Sequence, residues 1–255
     1  EIVSAQRSAA WSEVARRLAH EIKNPLTPIQ LSAERLEHKL AARLESADRA
    51  LLQRAVATIV AQVQAMKQLV DEFRDYARLP AAQLQPLDLN ALVAEVLVLY
   101  GHAAEAGRLR VHAAAALPAV LGDATQLRQV VHNLVQNGLD AVAERADGCV
   151  QVATEIARDD DGRVRVVRLV VSDNGPGFAD KVLKRAFEPY VTTKSRGTGL
   201  GLAVVKKIAD EHGARVRIGN AADGRGGARV SLSFSNLVFE AAGPHCDVAA
   251  QVPAG

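Results

Sequence analysis

Residues 52–77 read LQRAVATIVAQVQAMKQLVDEFRDYA, and their apolar positions decide the architecture of the first third of the chain. Leu52, Val56, Ile59, Val63, Met66, Val70, Phe73 and Ala77 recur at alternating steps of four and three. Sustained in this way, the alternation is the a/d pattern of a helix packed along a coiled-coil-like seam. Upstream, Leu18, Ile22, Leu26, Ile29, Ala33, Leu36 and Leu40 repeat at steps of three and four, and a polar stretch at residues 43–48 separates the two runs. Two such helices joined by a short loop predict an antiparallel hairpin. A lone hairpin cannot hide both apolar stripes. Pairing with a second copy makes a four-helix bundle, in which each buried Leu, Ile or Val contributes roughly 1.5–3 kcal/mol. A homodimer is therefore expected, against the blander alternatives of a solvated helical linker or an intramolecular bundle.

Periodicity stops at Leu79-Pro80, and residues 80–86 read as a linker between a hairpin over 1–79 and a second domain over 87–236. In that domain, residues 90–106 predict a helix capped by Asn90, and 109–113 a short strand. Residues 123–144 predict a helix with Asp123 as N-cap and Gln126 completing a variant capping box. Residues 150–156 and 164–171 are β-branched strands around Asp159-Asp160-Asp161-Gly162, a hairpin signal. A helix over 198–211 and a hairpin of 214–218 with 228–234 follow. The fold class is α+β: a helical hairpin, then an α/β sandwich with a mixed sheet and helices on one face. Residues 237–255, rich in Ala, Gly and Pro, are expected to be a disordered tail.

Composition removes several function classes. With 31 basic and 29 acidic residues the net charge is +2, and no arginine-rich run with interleaved aromatics exists, so nucleic acid is not an expected partner. Cys149 and Cys246 lie far apart without metal-ligand spacing, which argues against a zinc site or a disulfide framework and for a reducing, cytoplasmic setting. No apolar run reaches the ~18 residues of a membrane span. Membrane contact by this fragment is not expected. The chain starts at Glu1 rather than Met, which reads as an excised piece lacking a sensing part.

Four motifs carry chemistry. His20-Glu21-Ile22-Lys23-Asn24-Pro25 sits inside the first helical pattern, with Leu18 and Ile22 on the seam and His20 turned towards solvent. A neighbouring carboxylate, Glu21, could accept the Nδ1 proton while Nε2 acts as nucleophile. Asn24 lies one turn on, on the same face. Pro25 and Pro28 should kink the helix. Asn133 and Asn137 share one face of the 123–144 helix with Gln126, Gln129 and Asp140, and their amide oxygens suit a hard, partly hydrated Mg²⁺ bridging phosphates. Asp173-Asn174-Gly175-Pro176-Gly177 follows the strongest strand. It could be a plain turn, but its carboxylate could also accept from an exocyclic amine. Gly197-Thr198-Gly199-Leu200-Gly201 opens a helix and offers backbone N–H groups to a polyphosphate. It matches neither a dinucleotide-binding fingerprint nor a Walker A loop. Between the last two motifs, residues 187–194 have the composition of a lid, with Lys194 and Arg196 as cations for a γ-phosphate.

In this order the motifs resemble the catalytic core of a sensor histidine kinase, over roughly residues 8–235, and the wording of residues 15–30 is most similar to the NtrY-type nitrogen-regulation subgroup. The resemblance implies a dimerisation and phosphotransfer hairpin followed by a GHKL-type ATP-binding domain. It implies ATP and Mg²⁺ as cofactors, with Asn137 as direct metal ligand and Asn133 a neighbouring contact. By the same resemblance, Asp173 with Gly175 and Gly177 reads adenine, and Lys194, Gly197, Thr198, Gly199, Leu200 and Gly201 surround the phosphates. His20 is then the phosphoacceptor, Asn24 positions water for dephosphorylating a partner, and that partner is the receiver domain of a response regulator. The full-length protein is expected to be anchored in the bacterial inner membrane. Two rivals are an ATP-binding pseudokinase that signals by conformation and a GHKL-type ATPase. Neither needs the His20-Glu21 pair.

Overall fold

The computed structural model describes residues 2–192, 197–221 and 226–239. Helix α1 (Ile2–Leu40) is followed by a 3-10 turn at Ala41–Arg43 and by α2 (Ser46–Arg78). Pro25 and Pro28 lie inside α1, and the helix continues through both without a break. The prolines strand the carbonyls of Glu21 and Asn24, and all four residues are exposed, so water can take the place of the lost bonds.

The heptad pattern divides in two. Ala19, Leu26 and Ala33 of α1 and Val56, Val63, Val70 and Ala77 of α2, each seven residues from the next, are buried in the hairpin. The alternate positions are not: Ile29 is 48 % exposed, Leu36 55 %, Ile59 42 % and Met66 50 % in the single chain. Lys23 pairs with Asp71, which also meets Arg74 at 3.2 Å, and Lys67 Nζ donates to Gln30 Oε1 at 2.9 Å. These crosslinks mark the antiparallel register.

The second domain contains β1 (Gln85–Leu87), α3 (Leu89–Leu97), a 3-10 turn at Val98–Tyr100, α4 (Gly101–Glu105), β2 (Leu109–His112), β3 (Ala119–Gly122), α5 (Ala124–Ala141), β4 (Val150–Arg158), β5 (Val164–Asp173), α6 (Asp180–Leu183), α7 (Gly201–Glu211), β6 (Arg215–Asn220), β7 (Ala228–Phe234) and β8 (Leu237–Val238). Five strands form a mixed sheet in the order β2-β4-β5-β7-β6, parallel at β2–β4 and antiparallel elsewhere. A second, small antiparallel sheet has the order β1-β3-β8. One face of the large sheet is covered: Leu92 and Val96 of α3, Val130, Leu134 and Val135 of α5, and Val205 and Ile208 of α7 share a core with Val152, Val167, Leu169 and Leu232.

Local differences from the sequence reading have local causes. The expected linker runs into β1, whose Pro86 is tolerated because the strand is an edge. The expected tail begins with β8, paired to β3, and residues 240–255 lie outside the described ones. Asp88, not Asn90, caps α3 by accepting from Ala91 N at 3.0 Å. Asn90 instead bridges Ala114 O at 2.9 Å and the Thr154 hydroxyl at 2.7 Å. Asp123 does cap α5, accepting from the N–H groups of Thr125 and Gln126. Gln126 does not close a capping box, since its amide donates to Pro80 O at 2.8 Å.

The N–H of Asp123 that the box would have used donates to buried His212 Nε2 at 2.9 Å, while His212 Nδ1 lies 2.8 Å from Ile208 O. Those partners require the Nδ1–H tautomer and tie the end of α7 to the start of α5. Replacing His212 by Leu strands the Asp123 N–H and should cost about 1–3 kcal/mol in urea denaturation.

Burial alone would raise the Asp123 pKa, but N–H donation from Gln83, Gln126 and Thr125 holds it below the ordinary value. The cap therefore stabilises fully above the unfolded pKa and its contribution is lost as pH falls through the lower folded value. An Asp123→Ala variant should lose about 1 kcal/mol at neutral pH. The gap to the parent should close below about pH 4, as measured by pH-dependent denaturation.

Candidate nucleotide and phosphoacceptor site

Three of the four motifs meet around α5. Asn133 and Asn137, one turn apart, are half-buried on it. A Cβ on Gly201, the first residue of α7, would stand 3.2 Å from Asn137 Nδ2, so the glycine loop comes close against the amide row at that residue. At the other end, a Cβ on Gly175 would lie 3.0 Å from Ala141 O and 2.8 Å from Asp173 Oδ1. The turn after β5 is thus pressed onto the last residues of α5.

The Asp173 carboxylate is oriented by backbone donors, accepting from Gly175 N at 2.8 Å and Ala228 N at 3.2 Å. Gly227 (φ +107°) makes this possible: a Cβ there would fall 1.9 Å from Asp173 O. Asn174 serves the scaffold, accepting from Cys149 N and donating to Asp147 O, both at 2.8 Å. Gly177 (φ +74°) passes Asn220, whose amide grips Phe178 N at 2.6 Å and Phe178 O at 2.9 Å.

The glycine loop is held at both ends. Gly199 (φ +71°) accepts from Tyr190 N at 3.1 Å, and a Cβ on it would fall 2.6 Å from the Tyr190 carbonyl carbon. Leu200 is buried, so only its backbone could serve a ligand; its N–H lies 3.3 Å from Thr198 Oγ1. The Thr198 hydroxyl donates to Glu72 on α2. Nearby, Lys207 Nζ donates to Tyr76 O at 3.1 Å and stands 5.2 Å from the Tyr76 ring centre. Burial pushes the Lys207 pKa down, and Glu211 opposes that only in part.

His20 is exposed on α1. Lys23, about 4.5 Å further along the axis, pairs with Asp71, the residue before Glu72. The phosphoacceptor candidate and the glycine loop therefore address the same end of the hairpin. Glu21 departs from expectation: its carboxylate accepts from Arg17 Nε at 3.0 Å. Adjacent helical side chains diverge, whereas the partner four residues back shares the face. Asn24 is exposed, one turn from His20.

Asp140 accepts from Gln136 at 2.8 Å. Burial first, and the charge of Asp140 second, push the Tyr100 phenol to about 12; it is bonded to His132 Nδ1 at 2.7 Å. Lys194 and Arg196 lie outside the described residues. Glu72, Lys207, Asn220 and Gly227 escaped the sequence reading.

Comparison with known proteins matches two families to different parts of the chain. Residues 10–82 match the His Kinase A (phospho-acceptor) domain, and residues 122–237 the family of histidine kinase-, DNA gyrase B- and HSP90-like ATPases. The chain is a sensor histidine kinase catalytic core. It is 37% identical to the nitrogen regulation protein NtrY of Azorhizobium caulinodans over 97% of this chain and 31% of that protein. A putative NtrY-like sensor histidine kinase of Rickettsia conorii is 36% identical over 86% of this chain and 35% of that protein. The core thus spans about a third of the length of these relatives.

Among solved structures, full-length ShkA in complex with AMPPNP has a TM-score of 0.62 at 28% identity, covering 90% of this chain and 47% of that one. The nucleotide-free catalytic domain of the histidine kinase ThkA has a TM-score of 0.51 at 28% identity, covering 60% of this chain and 96% of that one. Among the described residues of the kinase core, no helix is long and apolar enough to cross a membrane.

The close approach at Gly227 yields a prediction. Gly227→Ala should weaken binding of a fluorescent ATP analogue by more than about tenfold, because an L side chain at that φ drives the backbone off Asp173. Gly101→Ala, where a Cβ would meet nothing within 4 Å, should leave the affinity unchanged.

Proposed function

We propose that the core is an ATP-dependent protein-histidine kinase that phosphorylates its own His20 and passes the phosphoryl group to an aspartate on the receiver domain of a response regulator. The observation that carries this reading is the placement of the glycine loop, through Thr198 and Glu72, at the end of the hairpin that bears exposed His20. ATP would sit between α5, the Asp173 turn and the glycine loop. The Asp173 carboxylate, held by two backbone N–H groups, would accept from the adenine amine, and Gly175 and Gly177 would admit the base close to the backbone. The N–H groups of residues 197–201 and the positive end of α7 would face the phosphates.

Among the described residues no cluster of three or more acidic, His or Cys side chains could hold a metal. We place Mg²⁺ mainly on the nucleotide, with the amide oxygen of Asn137 as protein ligand and Asn133 beside it; when bound, it would offset phosphate charge. Nε2 of His20 attacks the γ-phosphorus as the bond to the β–γ bridging oxygen breaks, ADP leaves with that oxygen, and the Nδ1 proton passes to the solvent that reaches the exposed ring. The work of the protein is positioning and electrostatics. A polyphosphate brings negative charge to the loop that Glu72 now contacts, so nucleotide entry opposes this contact and releases the domain to move towards His20.

Ile29, Leu36, Ile59 and Met66 support a homodimer, because a second hairpin would cover the stripe that one leaves bare. Asn24, on the His20 face, would place the water that dephosphorylates the regulator. We place this activity in the cytoplasm, within a longer protein anchored in the bacterial inner membrane.

Incubation with γ-labelled ATP and Mg²⁺ should give acid-labile, base-stable label on the parent and none on His20→Ala. Acid-stable label would refute the histidine assignment. Asn24→Ala should keep autophosphorylation while slowing regulator dephosphorylation by about tenfold or more, within the range typical of a positioned catalytic group. An Ile29→Glu/Ile59→Glu variant should sediment as a monomer, whereas an unchanged dimer would place the interface elsewhere.

A further inference from the structure

The face of the large sheet opposite α5 and α7, which no helix covers among the described residues, carries a groove of about 620 Å³. Its walls are Arg168 of β5, Arg215 and Arg217 of β6 and Arg229 of β7, and Ser231 and Ser233 lie in its floor. The strand register explains the shape. Arg168 is opposite Ser233, which is opposite Arg215, and Arg217 is opposite Ser231. Long guanidinium stems therefore rise on either side of a row of short hydroxyl side chains.

Glu155 engages Arg229 at 3.1 Å and Arg168 at 4.0 Å. Arg215 and Arg217 are exposed and have no acidic partner among the described residues. Charges on an edge strand commonly serve only to discourage edge-to-edge pairing. That purpose needs neither convergence from three strands nor a concave hydroxyl floor.

The spacing points to one kind of occupant. Arg215 and Arg217 project from the same face of one strand, about 7 Å apart. Alternate carboxylates on an extended peptide have the same repeat, and the guanidinium fork binds a carboxylate through two parallel hydrogen bonds. β6 is also the last strand of the sheet, paired among the described residues with β7 alone, so its outer backbone groups are open to an added strand.

We infer that this groove is a docking site for an extended acidic segment of a partner protein, with Asp or Glu at alternate positions, laid beside β6. The site is on the opposite side of the sheet from α5 and α7. It does not rest on the kinase reading, and a peptide there leaves the nucleotide cleft accessible.

The test is fluorescence anisotropy of the whole chain with a labelled peptide of alternating Glu and Thr, set against one of alternating Lys and Thr. Saturable binding of the acidic peptide alone, weakened at least about tenfold by Arg215→Gln/Arg217→Gln and unchanged by an ATP analogue, is the expected result. Both positions are exposed, and a matching far-UV spectrum with retained ATP-analogue binding verifies that the variant folds. An affinity unaffected by the double substitution overturns the proposal, as does no saturable binding. Displacement by inorganic phosphate at equal charge would reduce the groove to a simple anion site. Binding of phosphatidylserine vesicles without binding of the peptide would assign it to a membrane surface instead. Failure in any of these ways leaves ATP binding and His20 labelling as independent measurements.

Discussion

Everything in the second domain depends on burying one face of a five-stranded sheet under α5 and α7. Val130, Val131, Leu134 and Val135 are all at most 2 % exposed, and they fix the rotation of α5 about its axis. Once that rotation is fixed, Asn133 and Asn137 must lie at the rim of the buried face. The same burial brings Gly201 against Asn137 and Gly175 against Ala141, where a methyl group would already crowd. His212 locks the arrangement by satisfying the Asp123 N–H from inside the core. Polar groups that could hold a nucleotide are thus placed by apolar packing beneath them.

Much of this was legible in the chain. The heptads at Val56, Val63 and Val70 announced the hairpin, and the β4–β5 and β6–β7 pairs announced the sheet. The pattern could not tell which half of each heptad one chain would cover, because a and d positions are equally apolar in sequence and differ only by what faces them. Three short strands, β1, β3 and β8, were missed: they are two to four residues long and pair between segments far apart in the chain. Asn90 was a reasonable cap by residue type, but Asp88 holds the position, and Asn90 is recruited by Thr154, 64 residues away. The chemical motifs could be ordered from sequence. Their spatial neighbours Glu72, Asn220 and Gly227 could not, since each acts through an approach between distant segments.

Among the described residues, the hairpin and the second domain meet through Thr198 with Glu72, Lys207 with Tyr76 and the packing of Tyr76, and Gln126 holds the linker at Pro80. Interfaces of that kind contribute modestly and permit relative motion more readily than an apolar seam. The contrast with the hairpin is physical. Its covered stripe is apolar, whereas the contact between the domains combines hydrogen bonds that water can replace with the packing of Tyr76 and Leu79 against the second core.

The β4–β5 hairpin bears on how such a chain tolerates length changes. Val150 faces Asp173 at one end of the pair, while the Asp159–Gly162 turn closes the other. A register shift at Ala157/Arg158 already absorbs an irregularity close to the turn. Residues gained or lost at the turn would therefore lengthen or shorten an overhang and leave Asp173 where it is. A single residue inserted between Val167 and Asp173 would instead rotate the carboxylate to the opposite side of the sheet. Over evolutionary time, insertions should collect at the turn and be purged from the strand.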